Sequence, residues 1–286
     1  MGQHFVPQAY LRAFQDPSSP GFIWAQSRRE DAPRLVPIKK VAQSRGFYEP
    51  ATETLLALAI EGPANPILAK LRGGEAPEEH ERSCLAVYIA TMIKRVPRNR
   101  TRARALVQPT LDDVAGRLRE EFVQLAAVGE LAPELAERRL GELDKAHTKF
   151  TRELPPLVVA QIRDPRPTPR IIQAILSMRW RVLTAKEPEY FITSDNPAFY
   201  HEAYGVGTEQ SELRLPLSPT VALHGSHTLD RPSRVSFHEV SRDWVREFNR
   251  SVASGASSIA MSHRRADFLG TLLRRKNSDL FRLMWE

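Results

Sequence analysis

Apolar residues recur at helical spacing near the start of the chain, where Tyr10, Leu11 and Phe14 form a stripe behind Pro7. Pro7 suits the first helical position, and the Pro/Ser/Gly-rich run at 16–21 ends the helix. Two short apolar runs, 22–25 and 35–38, predict strands that pair as a hairpin. Residues 39–48 form a connection carrying Phe47 and Tyr48. From about 52 to 178 the spacing becomes mainly helical. Helices are predicted from Thr52 with an interruption at Gly62-Pro63, then over 77–96, 111–128, 133–150 and 169–178. The texture then changes to short apolar runs at 180–183, 190–193, 213–217 and 221–224. A helix over 241–254, a strand over 259–262 and a last helix over 266–275 complete the pattern.

Strands near both ends with helices between them predict an α+β fold. The expected sheet is mixed or antiparallel and built from N- and C-terminal strands. A large helical insertion, 51–178, interrupts it within a single domain, 1–286, and two independent domains are the alternative. A length of 286 residues is enough for a core without disulfide or metal staples. The hydrophobic fraction of 42% excludes a disordered or fibrous chain. No apolar run approaches the length of a membrane-spanning helix, so no membrane partner is expected. The first residues lack a signal-peptide pattern, and Val6 stands where a myristoylation motif wants Ser or Thr. The lone cysteine, Cys84, falls in a helical apolar pattern and fits a reducing, cytoplasmic location.

Charge adds a candidate partner. The net charge is +7, and 33 of the 41 basic side chains are arginine, the better two-pronged phosphate binder. Lys94, Arg95, Arg98, Arg100, Arg102 and Arg104 fall within eleven residues. Smaller groups stand at 263–265 and 274–276. Such clusters suit nucleic acid or another phosphate-bearing ligand, and equally suit a solvated surface with local ion pairs.

Four constellations carry candidate chemistry. His4 precedes a helix on which Gln8 and Arg12 share a face, a suitable anion site with a proton carrier beside it. The apolar run at 191–192 ends in Thr193-Ser194-Asp195-Asn196-Pro197, where a strand end would aim polar groups or simply make a turn. Arg95 and Arg98 flank Pro97 at a helix end, in excess of what the helix dipole needs. Arg246 and Arg250 share a helical face with Asn249 within one turn, a weak signal that surface solvation explains. Walker, dinucleotide-binding, nucleophile-elbow and zinc-helix motifs are missing. His224 and His227 stand isolated in the sequence.

Together these segments resemble a widespread, mostly microbial family known as domain of unknown function 4238. The resemblance rests on His4-Phe5-Val6-Pro7-Gln8-Ala9-Tyr10-Leu11-Arg12-Ala13-Phe14, Arg95-x-Pro97-Arg98, Phe191-Ile192-Thr193-Ser194-Asp195-Asn196-Pro197 and Pro216-Leu217-Ser218-Pro219. The first and third motifs are the specific ones. The segment around Asn249 looks like the family's late Asn-bearing helix, and Ser254-Gly255-Ala256 is a less certain match. The resemblance implies that His4, Gln8, Arg12, Arg95, Ser194, Asp195 and Asn196 belong to family motifs, and it supplies no activity.

The leading expectation is a phosphodiester-cleaving or nucleic-acid-processing protein of hydrolase type, in which these motifs converge on one pocket. His4 and Asp195 would be catalytic, with Asp195 orienting His4 or holding a divalent metal ion. Gln8, Arg12, Arg95, Arg98, Ser194 and Asn196 would bind substrate. The alternatives are a non-catalytic nucleic-acid or phosphate-ligand binding module, and a protein-interaction subunit using the helices over 111–150. The rival account of the motifs is a buried polar network that locks the first helix onto the sheet.

Overall fold

The computed structural model describes residues 2–44, 50–153, 164, 166–200, 205–228 and 234–274. Phe47, Tyr48, Arg275 and Lys276 lie outside the described residues, as do Arg163 and Pro165 of the turn expected at 163–167. The fold is α+β. The chain divides into two compact units, Met1–Pro97 with Pro165–Glu286, and Arg98–Asp164.

The first unit begins with β1 (Gln3–His4) and α1 (Gln8–Arg12), followed by β2 (Phe22–Ser27), β3 (Arg34–Pro37) and β4 (Gln43–Ser44). The hairpin expected at 22–38 forms, with Ile23 opposite Val36 and Trp24 opposite Leu35. Next comes α2 (Pro50–Leu56), which passes through one π-type turn (Ala57–Glu61) into α3 (Gly62–Arg72). The expected break at Gly62-Pro63 is therefore a change of helical pitch. Pro63 closely follows the π-type turn, so its missing N–H falls where the backbone changes from the wider to the ordinary helical pitch. Helix α4 (Glu79–Lys94) starts with a reciprocal cap between Glu78 and Glu81.

The second unit is built on two helices, α5 (Pro97–Ala127) and α6 (Pro133–Arg152). Arg119 pairs with Asp144 at 2.5 Å, and the His147 ring lies 2.8 Å from Asp112. Gln108 donates to Asp112 and to Thr151. These polar ties join helices whose facing surfaces are largely exposed, with Ala115 and Ala136 the buried apolar contacts.

The chain then returns to the first unit. It forms α7 (Pro169–Ser177), β5 (Arg179–Ala185), β6 (Thr193–Ser194), β7 (Phe199–Tyr200), β8 (Glu212–Pro216), β9 (Val221–Ser226), β10 (Val235–Val240), α8 (Arg242–Gly255), β11 (Ile259–Ser262) and α9 (Phe268–Arg274). Two main sheets result. One runs β10-β5-β9-β8-β7 and is antiparallel except for the parallel β10–β5 pair. The other runs β3-β2-β11-β6, wholly antiparallel, so N-terminal strands do join C-terminal ones.

Strand alternation decides which core each side chain enters. On β5, Trp180 and Val182 enter a core shared with α1, α3 and α4. Leu183 and Ala185 enter a second core with Val245, Phe248 and Val252 of α8. The central strand β9 is buried along its whole length. The strand expected at 190–193 shortens to its last residue and Ser194. The amides of Phe191 and Ile192 are spent singly, on the Pro219 carbonyl and on the Asn249 side chain, so no ladder forms there.

Candidate functional site

Helix α1 is fixed by its apolar side. The Tyr10 hydroxyl, fully buried, bonds Thr193 Oγ1 at 2.8 Å and the Pro216 carbonyl at 2.7 Å. Leaving that hydroxyl unpaired would cost about 1–3 kcal/mol. The first and third family motifs, with Pro216 of the fourth, therefore meet at one phenol.

On the polar side, the His4 Nδ1 lies 3.5 Å from Gln8 Nε2 and 4.0 Å from Glu53 Oε1. The His4 backbone amide also donates to Glu53. Arg95 is buried, donating to the His4 carbonyl and pairing with Glu61, each at 2.5 Å. Burial holds the His4 pKa below the usual imidazole value, with the Glu53 charge and the Lys39 carbonyl partly offsetting it. The ring is thus neutral at neutral pH. Glu53 and Glu61 were not foreseen, because the π-type turn displaces the helical spacing that would relate them. Arg12 is exposed, as its place on the outer face of α1 predicts.

At the strand end, Ser194, Asp195 and Asn196 are all buried. The Asp195 carboxylate accepts from the backbone amides of Ser257, Ser258 and Ile259 at 2.7, 2.8 and 3.1 Å. Burial pushes its pKa up to about 6, against the three amide donors and the Arg28 charge, which favour ionisation. Asn196 donates to the Gly255 carbonyl, and Ser194 Oγ accepts the Asn196 amide. These side chains stitch β6 to the turn between α8 and β11. No hydrogen bond or ion pair joins His4 to Asp195 among the described residues. Arg98 stands in the first turn of α5 and belongs to the second unit. No group of three or more His, Cys, Asp or Glu side chains converges as a metal site among the described residues.

A cleft of about 300 Å³ opens elsewhere in the first unit, lined by Tyr190, Arg246, Asn249, Arg250, Phe268 and Leu272 among others. Asn249 sets its back wall, donating to the Tyr190 carbonyl and accepting the Ile192 amide. The Tyr190 and Phe268 rings lie 6.0 Å apart and tilted by 46°. Arg264 covers Tyr190 at 4.2 Å. The cleft's carboxylate, Glu189, is paired with Arg242 at 2.8 Å. Arg246 and Arg250 make no hydrogen bond or ion pair among the described residues. The arginine pair was visible in the sequence, but its aromatic neighbours come from distant segments.

One further polar group escaped the sequence. Arg181, His224 and Arg214 stand directly opposite one another across β5, β9 and β8. Arg181 donates to His224 Nδ1, so the ring proton sits on Nε2, 3.2 Å from Glu212. Arg214 bonds Glu212, Glu247 and Ser251, and both arginines lie over the Trp244 ring. Burial opposes ionisation of Glu212, yet His224 and Arg214 outweigh it and hold its pKa down at about 2. Only the strand register relates these residues, and register is not written in any local motif.

A family model described as "Protein of unknown function (DUF4238)" matches residues 2–266 of the 286. No curated protein and no solved structure matches the chain. The four motif segments all fall inside the matched range. The chain belongs to the DUF4238 family.

Proposed function

We propose that this chain is a binding module for a small phosphate-bearing ligand, held in the cleft beneath Arg246 and Arg250. The carrying observation is that these two guanidinium groups share one face of α8 and the wall of one cleft, with no internal partner among the described residues. By contrast, Asp195 accepts three backbone amides, and buried Arg95 is bound to Glu61 and the His4 carbonyl. Groups so engaged are poor choices for neutralising a phosphate, because each would have to give up a buried bond. The cleft volume suits a small ligand, standing at the lower end of the roughly 300–1,000 Å³ range of ligand pockets. We place this binding in the cytoplasm, where the single thiol of Cys84 suits the reducing conditions.

Calorimetric titration with inorganic pyrophosphate tests the proposal. Saturable binding is expected, weakening about tenfold or more in Arg246→Ala and in Arg250→Ala and weakening with added salt. His4→Ala is expected to bind like the wild type, since His4 does not line the cleft. Absence of binding, or binding indifferent to both arginines, contradicts the proposal. Phosphodiester hydrolysis lost on His4→Ala would instead support an acid–base role for His4 and the neighbouring Glu53 carboxylate.

A further inference from the structure

The cleft carries more than cations, and its aromatic wall defines the ligand further. We infer that the ligand is a free nucleoside monophosphate, its base stacked on Phe268 and its phosphate held by Arg246 and Arg250. This inference rests on the reading of the cleft as a phosphate site.

Three observations support it. Phe268 is 41% exposed at the cleft, although a phenyl ring gains from burial wherever packing allows. Its neighbour Tyr190 is already occupied, with Arg264 over the ring at 4.2 Å and His263 against its edge at 4.8 Å and 87°. Tyr190 is thus a braced support, and Phe268 is the ring left open to a planar partner. The third observation is the placement of charge. Arg246 and Arg250 come from α8 and Phe268 from α9, so the cleft joins a cationic wall to an apolar one. Glu189 adds little repulsion there because Arg242 neutralises it. An inorganic phosphate or a sugar phosphate would satisfy only the cationic wall. A nucleotide satisfies both, and the cleft of about 300 Å³ favours one nucleotide over a strand.

The test compares adenosine monophosphate with ribose 5-phosphate, which carries the same phosphate without a base, by titration calorimetry at one salt concentration. Adenosine monophosphate is expected to bind at least fivefold more tightly, as stacking on an exposed aromatic ring supplies. Phe268→Ala should remove most of that preference while leaving ribose 5-phosphate binding unchanged. Phe268→Leu, which keeps the apolar bulk without the ring, should also lose it, so the effect belongs to stacking and not to a disturbed α9. Arg246→Ala should weaken both ligands. Equal binding of the two ligands overturns the nucleotide inference and leaves the phosphate site standing. Failure of both ligands to bind overturns the phosphate reading as well. Tighter binding of a 5′-phosphorylated single-stranded oligonucleotide than of adenosine monophosphate would overturn the free nucleotide in favour of a strand end.

Discussion

Asp195, which reads as catalytic in the sequence, has both carboxylate oxygens engaged by the backbone. Its two oxygens accept three consecutive backbone amides, which fixes the turn after α8 to the end of β6. Asp195→Asn replaces an acceptor oxygen with a second donor facing those amides, and should cost about 1–3 kcal/mol. The pH dependence has a definite sign. Folded Asp195 holds its proton to about pH 6, above its ordinary value of 3.8. Its contribution to stability therefore falls as pH rises from about 4 through 6. Urea unfolding should show a larger cost of Asp195→Asn at pH 4 than at pH 7. A cost that grows with pH would contradict this account. At this scale the sequence was informative about which residues matter and less so about their partners. The motif around His4 does bring His4, on β1, within 3.5 Å of Gln8 at the start of α1, because the two elements adjoin in the chain. Nothing local announced Glu53, Glu61 or the pairing of Arg95, because those contacts span up to 91 positions.

Among the elements, α8 does two jobs. Its inner face carries Val245, Phe248 and Val252 into the second core. Its Trp244, Glu247 and Ser251 cover the Arg181–His224–Arg214 row on the sheet. Glu212 is the acid that this row depends on. Its folded pKa, about 2, lies below the ordinary 4.5, so its stabilising effect is present above about pH 4.5 and is lost as pH falls towards 2. Glu212→Gln should destabilise the chain at pH 7 by about 1 kcal/mol, a modest figure because 37% of the side chain is exposed. Denaturant midpoints measured from pH 3 to 7 should converge for the two proteins at the acidic end. A constant difference across that range would show that Glu212 acts by packing alone. Helices α4 and α6 and strands β5, β9 and β11 were legible because their apolar periods are strong, whereas α5, expected over 111–128, starts at Pro97 because its arginine-rich first turns carry no apolar stripe. Strand β10 was not expected, since its alternation of partly buried and exposed residues is weak. Its parallel pairing with β5 comes from the sheet as a whole.

For the whole molecule, the α+β class followed from strands at both ends of the chain and helices between them. The division at Arg98 and Asp164 did not, because the basic run 94–104 continues through the first boundary, which falls at the start of α5. That boundary also divides the basic run. Lys94 and Arg95 belong to one unit, and Arg98, Arg102 and Arg104 to the other. The net charge of +7 is consequently a weak guide to where an anion binds, and arginines on a cleft wall with no partner among the described residues are a better one. The decisive measurement is a crystal structure of the chain grown with adenosine monophosphate. The account predicts the phosphate against Arg246 and Arg250 and the base on Phe268. A ligand bound along 94–104, or against His4 and Glu53 with the cleft empty, would contradict it.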